Sequence, residues 1–268
     1  MSLYTQTTGQ GPDLVFLHGW GMNGDVWENV VPLLADSYRV TVVDLPGHGR
    51  SVDDSVNKAG SYNLRKLAEQ VLAITPPGAT LVGWSMGGLV ATQLVLDNPG
   101  TINGLVLVSS SPKFVRGDSW PDGVEAEVLD GFAGDLREDY RNTVKRFIAI
   151  QAMGSDNPRE EQRVLRDRVF RHGDPQIAAL EGGLKILHSS DLRSRLNEIE
   201  TPMLLLTGEH DSLFRRQAAE QTQQLNSSSK LVVIKGAGHA PFLSHENKFI
   251  KELIYFLAET LPKRIEKQ

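Results

Sequence analysis

Ser85 lies in Gly83-Trp84-Ser85-Met86-Gly87-Gly88, between an apolar β-forming run that ends at Val82 and a helical pattern over Leu89 to Leu96. G-x-S-x-G at a strand-to-helix reversal is the setting of a nucleophilic serine, because the turn lifts the hydroxyl clear of the sheet and aims a helix N-terminus at it. The flanking glycines lack the Cβ atoms that so tight a turn excludes. A serine hydroxyl is a poor nucleophile at neutral pH and needs a base, which in turn needs an orienting acid. On this kind of scaffold the chain order is Ser, then Asp or Glu, then His. Asp211, after Met203-Leu204-Leu205-Leu206, and His239, after Lys230-Leu231-Val232-Val233-Ile234, stand in that order. Glu209 is the rival acid, and His210 and His245 flank the same loops. An oxyanion formed at Ser85 would need two preorganised N–H donors. The amide of Met86 is one candidate; that of Trp20, in the glycine loop His18-Gly19-Trp20-Gly21, is the other.

These residues can meet only if the elements before them end at one edge. Asp13 to Leu17, Arg39 to Val43, Ala79 to Val82, Leu105 to Val108, Met203 to Leu206 and Lys230 to Ile234 read as buried strands. Helical patterns separate them at Val26 to Leu34, Leu64 to Leu72, after Ser85, between the last two strands, and from Phe249 to Leu261. Alternating strands and helices predict an α/β fold with a mostly parallel central sheet flanked by helices. In such sheets ligand sites gather at the carboxyl ends of the strands, where every candidate residue falls. The alternation breaks between residues 113 and 190. Four helical patterns, Val124 to Phe132, Arg137 to Met153, Arg159 to Phe170 and Ile177 to Leu187, replace it. Residues 113–190 therefore read as an inserted helical cap over a core of residues 1–112 and 191–268, closing over the same edge.

Composition removes several classes of function. The 268 residues are 40% hydrophobic and 23% charged, ordinary for one globular α/β unit. A net charge of −5 disfavours nucleic acid as a partner. Absence of cysteine excludes disulfides, thiolate metal sites and a cysteine nucleophile. No apolar run approaches a membrane span, and the N-terminus lacks a basic-then-apolar leader, so a cytoplasmic protein away from the membrane is expected; a monomer is the default expectation. No zinc-binding H-E-x-x-H is found, and no metal or other cofactor is expected.

The elbow, the His18-Gly19-Trp20-Gly21 loop and Asp44-Leu45-Pro46-Gly47 together resemble the α/β-hydrolase superfamily. Arg146-Phe147-Ile148-Ala149-Ile150-Gln151-Ala152-Met153-Gly154, Gly182-Gly183-Leu184-Lys185-Ile186-Leu187 and Gly238-His239-Ala240-Pro241-Phe242 narrow the likeness. They resemble the methyl ester esterases that act on pimeloyl-[acyl-carrier protein] in biotin synthesis. That resemblance implies a serine carboxylesterase, with Ser85, Asp211 and His239 catalytic and Trp20 and Met86 holding the oxyanion. It also implies that Phe147 and Gln151, four apart on one helix face, line the acyl channel; packing in the cap core is the alternative use of Phe147. An acyl carrier protein is the implied partner, facing Arg146, Arg159 and Arg163, while Asn142 replaces a fourth arginine with Arg141 beside it. From Arg137 to Arg171 there are nine Lys or Arg against six Asp or Glu, a basic face suited to an acidic carrier or a solvated helix surface. The alternative activity is a broad-specificity short-chain carboxylesterase.

Overall fold

The computed structural model describes residues 3–52, 54–58 and 60–261. Seven strands form one sheet: β1 (Thr5–Thr8), β2 (Asp13–Leu17), β3 (Arg39–Val43), β4 (Thr80–Trp84), β5 (Gly104–Val108), β6 (Met203–Gly208) and β7 (Lys230–Ile234). Their order across the sheet is β1-β3-β2-β4-β5-β6-β7. β1 pairs antiparallel with β3, and every other pair is parallel. β4, β5 and β6 are buried along their whole length, as a parallel sheet covered on both faces requires.

Helices α1 (Val30–Leu34), α2 (Leu64–Leu72), α3 (Met86–Asp97), α8 (Arg216–Leu225), the one-turn α9 (Pro241–Ser244) and α10 (Glu246–Thr260) alternate with these strands. α3 is apolar on all sides, Met86 through Leu96 being buried, because it lies between the sheet and other helices. α2 instead buries only Leu67, Ala68 and Val71, and Asn63 caps its start by accepting from the Lys66 amide at 3.0 Å. Between β5 and β6 the chain runs through α4 (Ala126–Asp135), α5 (Tyr140–Gln151), α6 (Pro158–Val169) and α7 (Ile177–Ser189). Asp139 caps α5, and Asn157 caps α6 ahead of Pro158, a residue that suits a first helical position.

The largest differences from the sequence expectation lie near the N-terminus. The pattern from Val26 to Leu34 is not one helix but a 3-10 turn over Gly24–Trp27 followed by α1. Pro32 has no N–H to bond the carbonyl four residues back, so it fits only the first turn of a helix, and α1 must start close before it. β1 was not expected. Its Thr-Gln-Thr-Thr side chains are all exposed, so an edge strand held by backbone pairing and one Thr7–Thr41 hydroxyl contact (2.9 Å) carries no alternating apolar signal.

Candidate active site

The elbow is built by close approach of backbone. Ser85 links β4 to α3 with φ 53° and ψ −119°, a left-handed conformation that costs a non-glycine residue on the order of 1–3 kcal/mol. Three contacts hold it there. The Ser85 amide donates to the Val108 carbonyl (3.0 Å), and the Ser85 carbonyl accepts from the Gly88 amide (2.9 Å) and from Ser110 Oγ (2.7 Å). Glycine is obligatory at Gly83, where a Cβ would lie 2.5 Å from the Gly87 carbonyl oxygen, and at Gly87, where it would lie 2.6 Å from the carbonyl oxygens of Leu17 and His18. Ser110, which Ser85 needs to stay strained, was not singled out from sequence; a serine after a strand carries no distinguishing pattern.

His239 and Asp211 come from the ends of β7 and β6. Gly208 lets these ends meet, since a Cβ there would strike the Gly238 and Ala237 carbonyl oxygens at 2.1 and 2.3 Å. The His239 ring is fully buried, with Nδ1 2.9 Å from both Asp211 carboxylate oxygens. Asp211 Oδ1 also accepts from the amides of Leu213 (2.9 Å) and Phe214 (2.8 Å), which fixes the carboxylate before it meets the imidazole. Nδ1 therefore donates its proton to Asp211, leaving the Nε2 lone pair free. Nε2 is buried and has no hydrogen-bond partner, so no bond to Ser85 Oγ is formed. Trp84 joins the two sides: its Nε1 donates to the His239 carbonyl at 2.9 Å, and its ring centroid lies 5.7 Å from the imidazole. The rivals are engaged elsewhere. Glu209 accepts from the Gly236 amide (3.1 Å), His210 Nδ1 donates to the Gly154 carbonyl (3.0 Å), and His245 faces Asp156 and Ser244.

The Trp20 and Met86 amides make no hydrogen bond among the described residues. A Cβ on Gly19 would sit 3.2 Å from Ser85 Cβ, so the loop carrying Trp20 packs directly on the serine. His18 holds that loop, with Nδ1 donating to the Gly19 carbonyl (2.8 Å) and Nε2 accepting from the Leu45 amide (2.9 Å). Burial keeps His18 neutral, lowering its pKa to about 4. Burial alone would raise the Asp44 carboxyl, but Arg50 and two backbone amides hold it below the usual carboxylate range. Asp44 thereby anchors the loop behind the site.

Above Ser85 lies a cavity of about 10 Å³, lined by Phe114, Val124, Leu129, Phe147, Leu187 and Leu213. Phe147 packs edge-on against Trp20 at 4.7 Å. Gln151 is not part of this lining. Its carbonyl accepts from the His239 amide (3.2 Å), while both atoms of its side-chain amide are buried without a partner. Of the arginines on α5 and α6, Arg141 pairs with Asp174 (2.7 Å), Arg146 with Asp135, and Arg163 with Glu160 (2.6 Å) and Asp167 (3.3 Å), all at the surface. Arg159 makes no ion pair among the described residues.

The alpha/beta hydrolase fold profile matches residues 12–246. This chain belongs to the α/β-hydrolase fold family. The pimeloyl-[acyl-carrier protein] methyl ester esterase of Aeromonas hydrophila is 46% identical to this hydrolase over 96% of this chain and 100% of its own. The protein of that name from Sodalis glossinidius is 44% identical over 96% and 98%. Among solved structures, an esterase from Exiguobacterium antarcticum superposes with a TM-score of 0.86 at 26% identity, covering 96% and 95% of the two chains. A bromoperoxidase from Bacillus anthracis reaches 0.85 at 22% identity over the same shares, a likeness of fold alone. Among the described residues no helix is long and apolar enough to cross a membrane.

Proposed function

We propose that this hydrolase cleaves the methyl ester of a pimeloyl group carried on an acyl carrier protein, releasing methanol and the free carboxylate within biotin synthesis. The observation that carries the chemistry is the buried His239 ring, its Nδ1 held by Asp211 and its Nε2 unclaimed, linked through Trp84 to the strained Ser85 next in the chain. Relatives bearing that substrate in their names and matching nearly the whole chain support the choice of ester. In the proposed reaction Ser85 Oγ turns to His239 Nε2, loses its proton to it and attacks the ester carbonyl. The Trp20 and Met86 amides receive the oxyanion. His239 returns the proton to the departing methoxide, leaving an acyl ester on Ser85. Water then adds with the same base and restores the serine. Asp211 holds the imidazole tautomer and balances its transient charge. Phe147 and the apolar lining keep water from the acyl chain. Arg141, Arg146, Arg159 and Arg163 supply a positive surface for the carrier, with Arg159 the most available of the four.

Methanol release from the carrier-linked pimeloyl methyl ester is the direct test. Ser85→Ala is expected to lower kcat by at least about 10³-fold. Turnover retained in that variant overturns the mechanism. A wild-type protein no faster on the carrier-linked ester than on free p-nitrophenyl esters, with no salt sensitivity specific to the carrier, points to a broad carboxylesterase instead. Growth rescue of a biotin-requiring strain lacking its esterase tests the physiological role.

A further inference from the structure

The cavity beside Ser85 holds about 10 Å³, room for one water and for no ester. An acyl group needs a pocket of a few hundred Å³, so part of the wall must move. The walls are not equally free to do so. Phe147 is wedged against Trp20 (4.7 Å) and Phe132 (5.4 Å). Leu187 belongs to α7, which is tied to the core through the Trp20 Nε1 bond to the Leu180 carbonyl (2.8 Å) and packs Gly183 on Trp20 and Met86. Leu213 donates its amide to Asp211, and Val124 donates its amide to the Phe114 carbonyl (2.7 Å). Leu129 differs. It is the one residue shared between this cavity and a groove of about 720 Å³ on the outer face of the cap, between α4 and α7. Its side chain is a partition with the serine on one side and open space on the other.

The helix that carries Leu129 is held by apolar packing, Phe132 lying against Trp20 (6.5 Å) and Phe147 (5.4 Å), and has few polar ties. α4 lacks a side-chain N-cap. Gly131 and Gly134 face open space, so no close approach demands them, and each weakens the helix. Among the described residues its side chains make two polar contacts, Asp135 with Arg146 and Asp130 with His188; both are at the surface and within the cap. α6, by contrast, is fastened to the core by Asn23 on the Arg168 and Val169 carbonyls and by Arg168 on the Val26 carbonyl. We propose that Leu129 is the gate of the acyl site: it swings into the α4–α7 groove to admit substrate, and its bulk sets how wide an acyl group Ser85 accepts. This rests on Ser85 being the esterase nucleophile.

The test compares kcat/KM on p-nitrophenyl cyclohexanecarboxylate with that on p-nitrophenyl acetate. Leu129→Ala is expected to raise this ratio at least about tenfold, since one or two methylenes of fit are worth that much discrimination. Leu129→Phe, whose extra bulk has the groove to expand into, is expected to lower it with little change in thermal midpoint. Leu184→Ala lines the groove but not the cavity, and the ratio is expected to hold. A ratio unmoved in both Leu129 variants overturns the gate. So does an equal rise in Leu184→Ala, which would mean general loosening of the cap. Wild-type protein inert toward both esters and toward a fluorophosphonate would instead sink the esterase reading on which the gate rests.

Discussion

Asp211 is set apart from Glu209 by two residues of chain and by geometry. Its Oδ1 takes the Leu213 and Phe214 amides while both oxygens face His239 Nδ1. Asp211→Asn keeps size and shape but can place an N–H against Nδ1–H, which drives the imidazole to the other tautomer and occupies Nε2 with a proton. The expected result is a fall in kcat of about 10⁴-fold with the thermal midpoint nearly unchanged. A fall below tenfold would show that His239 does not need this partner. At this scale the chain order Ser, Asp, His was readable because chemistry restricts residue type, and strand ends restrict position. The apolar residues around Ser85 were not readable. Phe114, Val124, Leu129, Leu187 and Leu213 are the same types that fill any core, and only the folded chain distinguishes five of them as walls of one cavity.

Elements with a buried face were legible where a wholly exposed one was not. The expected strands at Asp13, Arg39 and Lys230 have the bounds seen, because each apolar run gives way within two residues to Gly or Asp. β1 escaped because nothing in it is buried. In the cap, the periodicity marked α4 to α7 but ran on at the ends: Arg137 to Met153 shrinks to Tyr140–Gln151 because Asp139 caps the helix. α4 is the element whose sequence argues against itself, with two glycines inside ten residues. Because both face open space, Gly131→Ala and Gly134→Ala should each stabilise the fold by about 0.5–1 kcal/mol. The thermal midpoint should rise by about 1–4 °C per substitution. A drop in midpoint would mean that these positions are packed against something in solution. If α4 must unwind for Leu129 to swing, the double variant should also turn over bulky esters more slowly than acetate.

Over the whole molecule, acid stability depends on groups the reaction never touches. His18 and His48 are buried and neutral. Burial lowers His18 to about 4; burial, with His18 alongside, lowers His48 to about 3. Unfolded, each titrates near about 6.5. As pH falls from there, the unfolded chain takes up protons that the folded chain refuses, so their stabilisation is complete above that value and is lost toward pH 4. Protonating His18 Nε2 would also set a donor against the Leu45 amide it now accepts from, releasing the loop that presents Trp20. Glu161 runs the other way. Burial, reinforced by Asp156, raises it to about 7, so the folded chain keeps a proton that the unfolded chain gives up, and its contribution is lost as pH rises from about 4.5 to 7. In the window where the two overlap, two histidines oppose one carboxyl, and the urea midpoint should fall on acidification from pH 6.5 to 4.5. His48→Asn should flatten that fall. Glu161→Gln should steepen it, because the opposing group is gone. Identical slopes in the three proteins would show that neither His48 nor Glu161 titrates differently on unfolding.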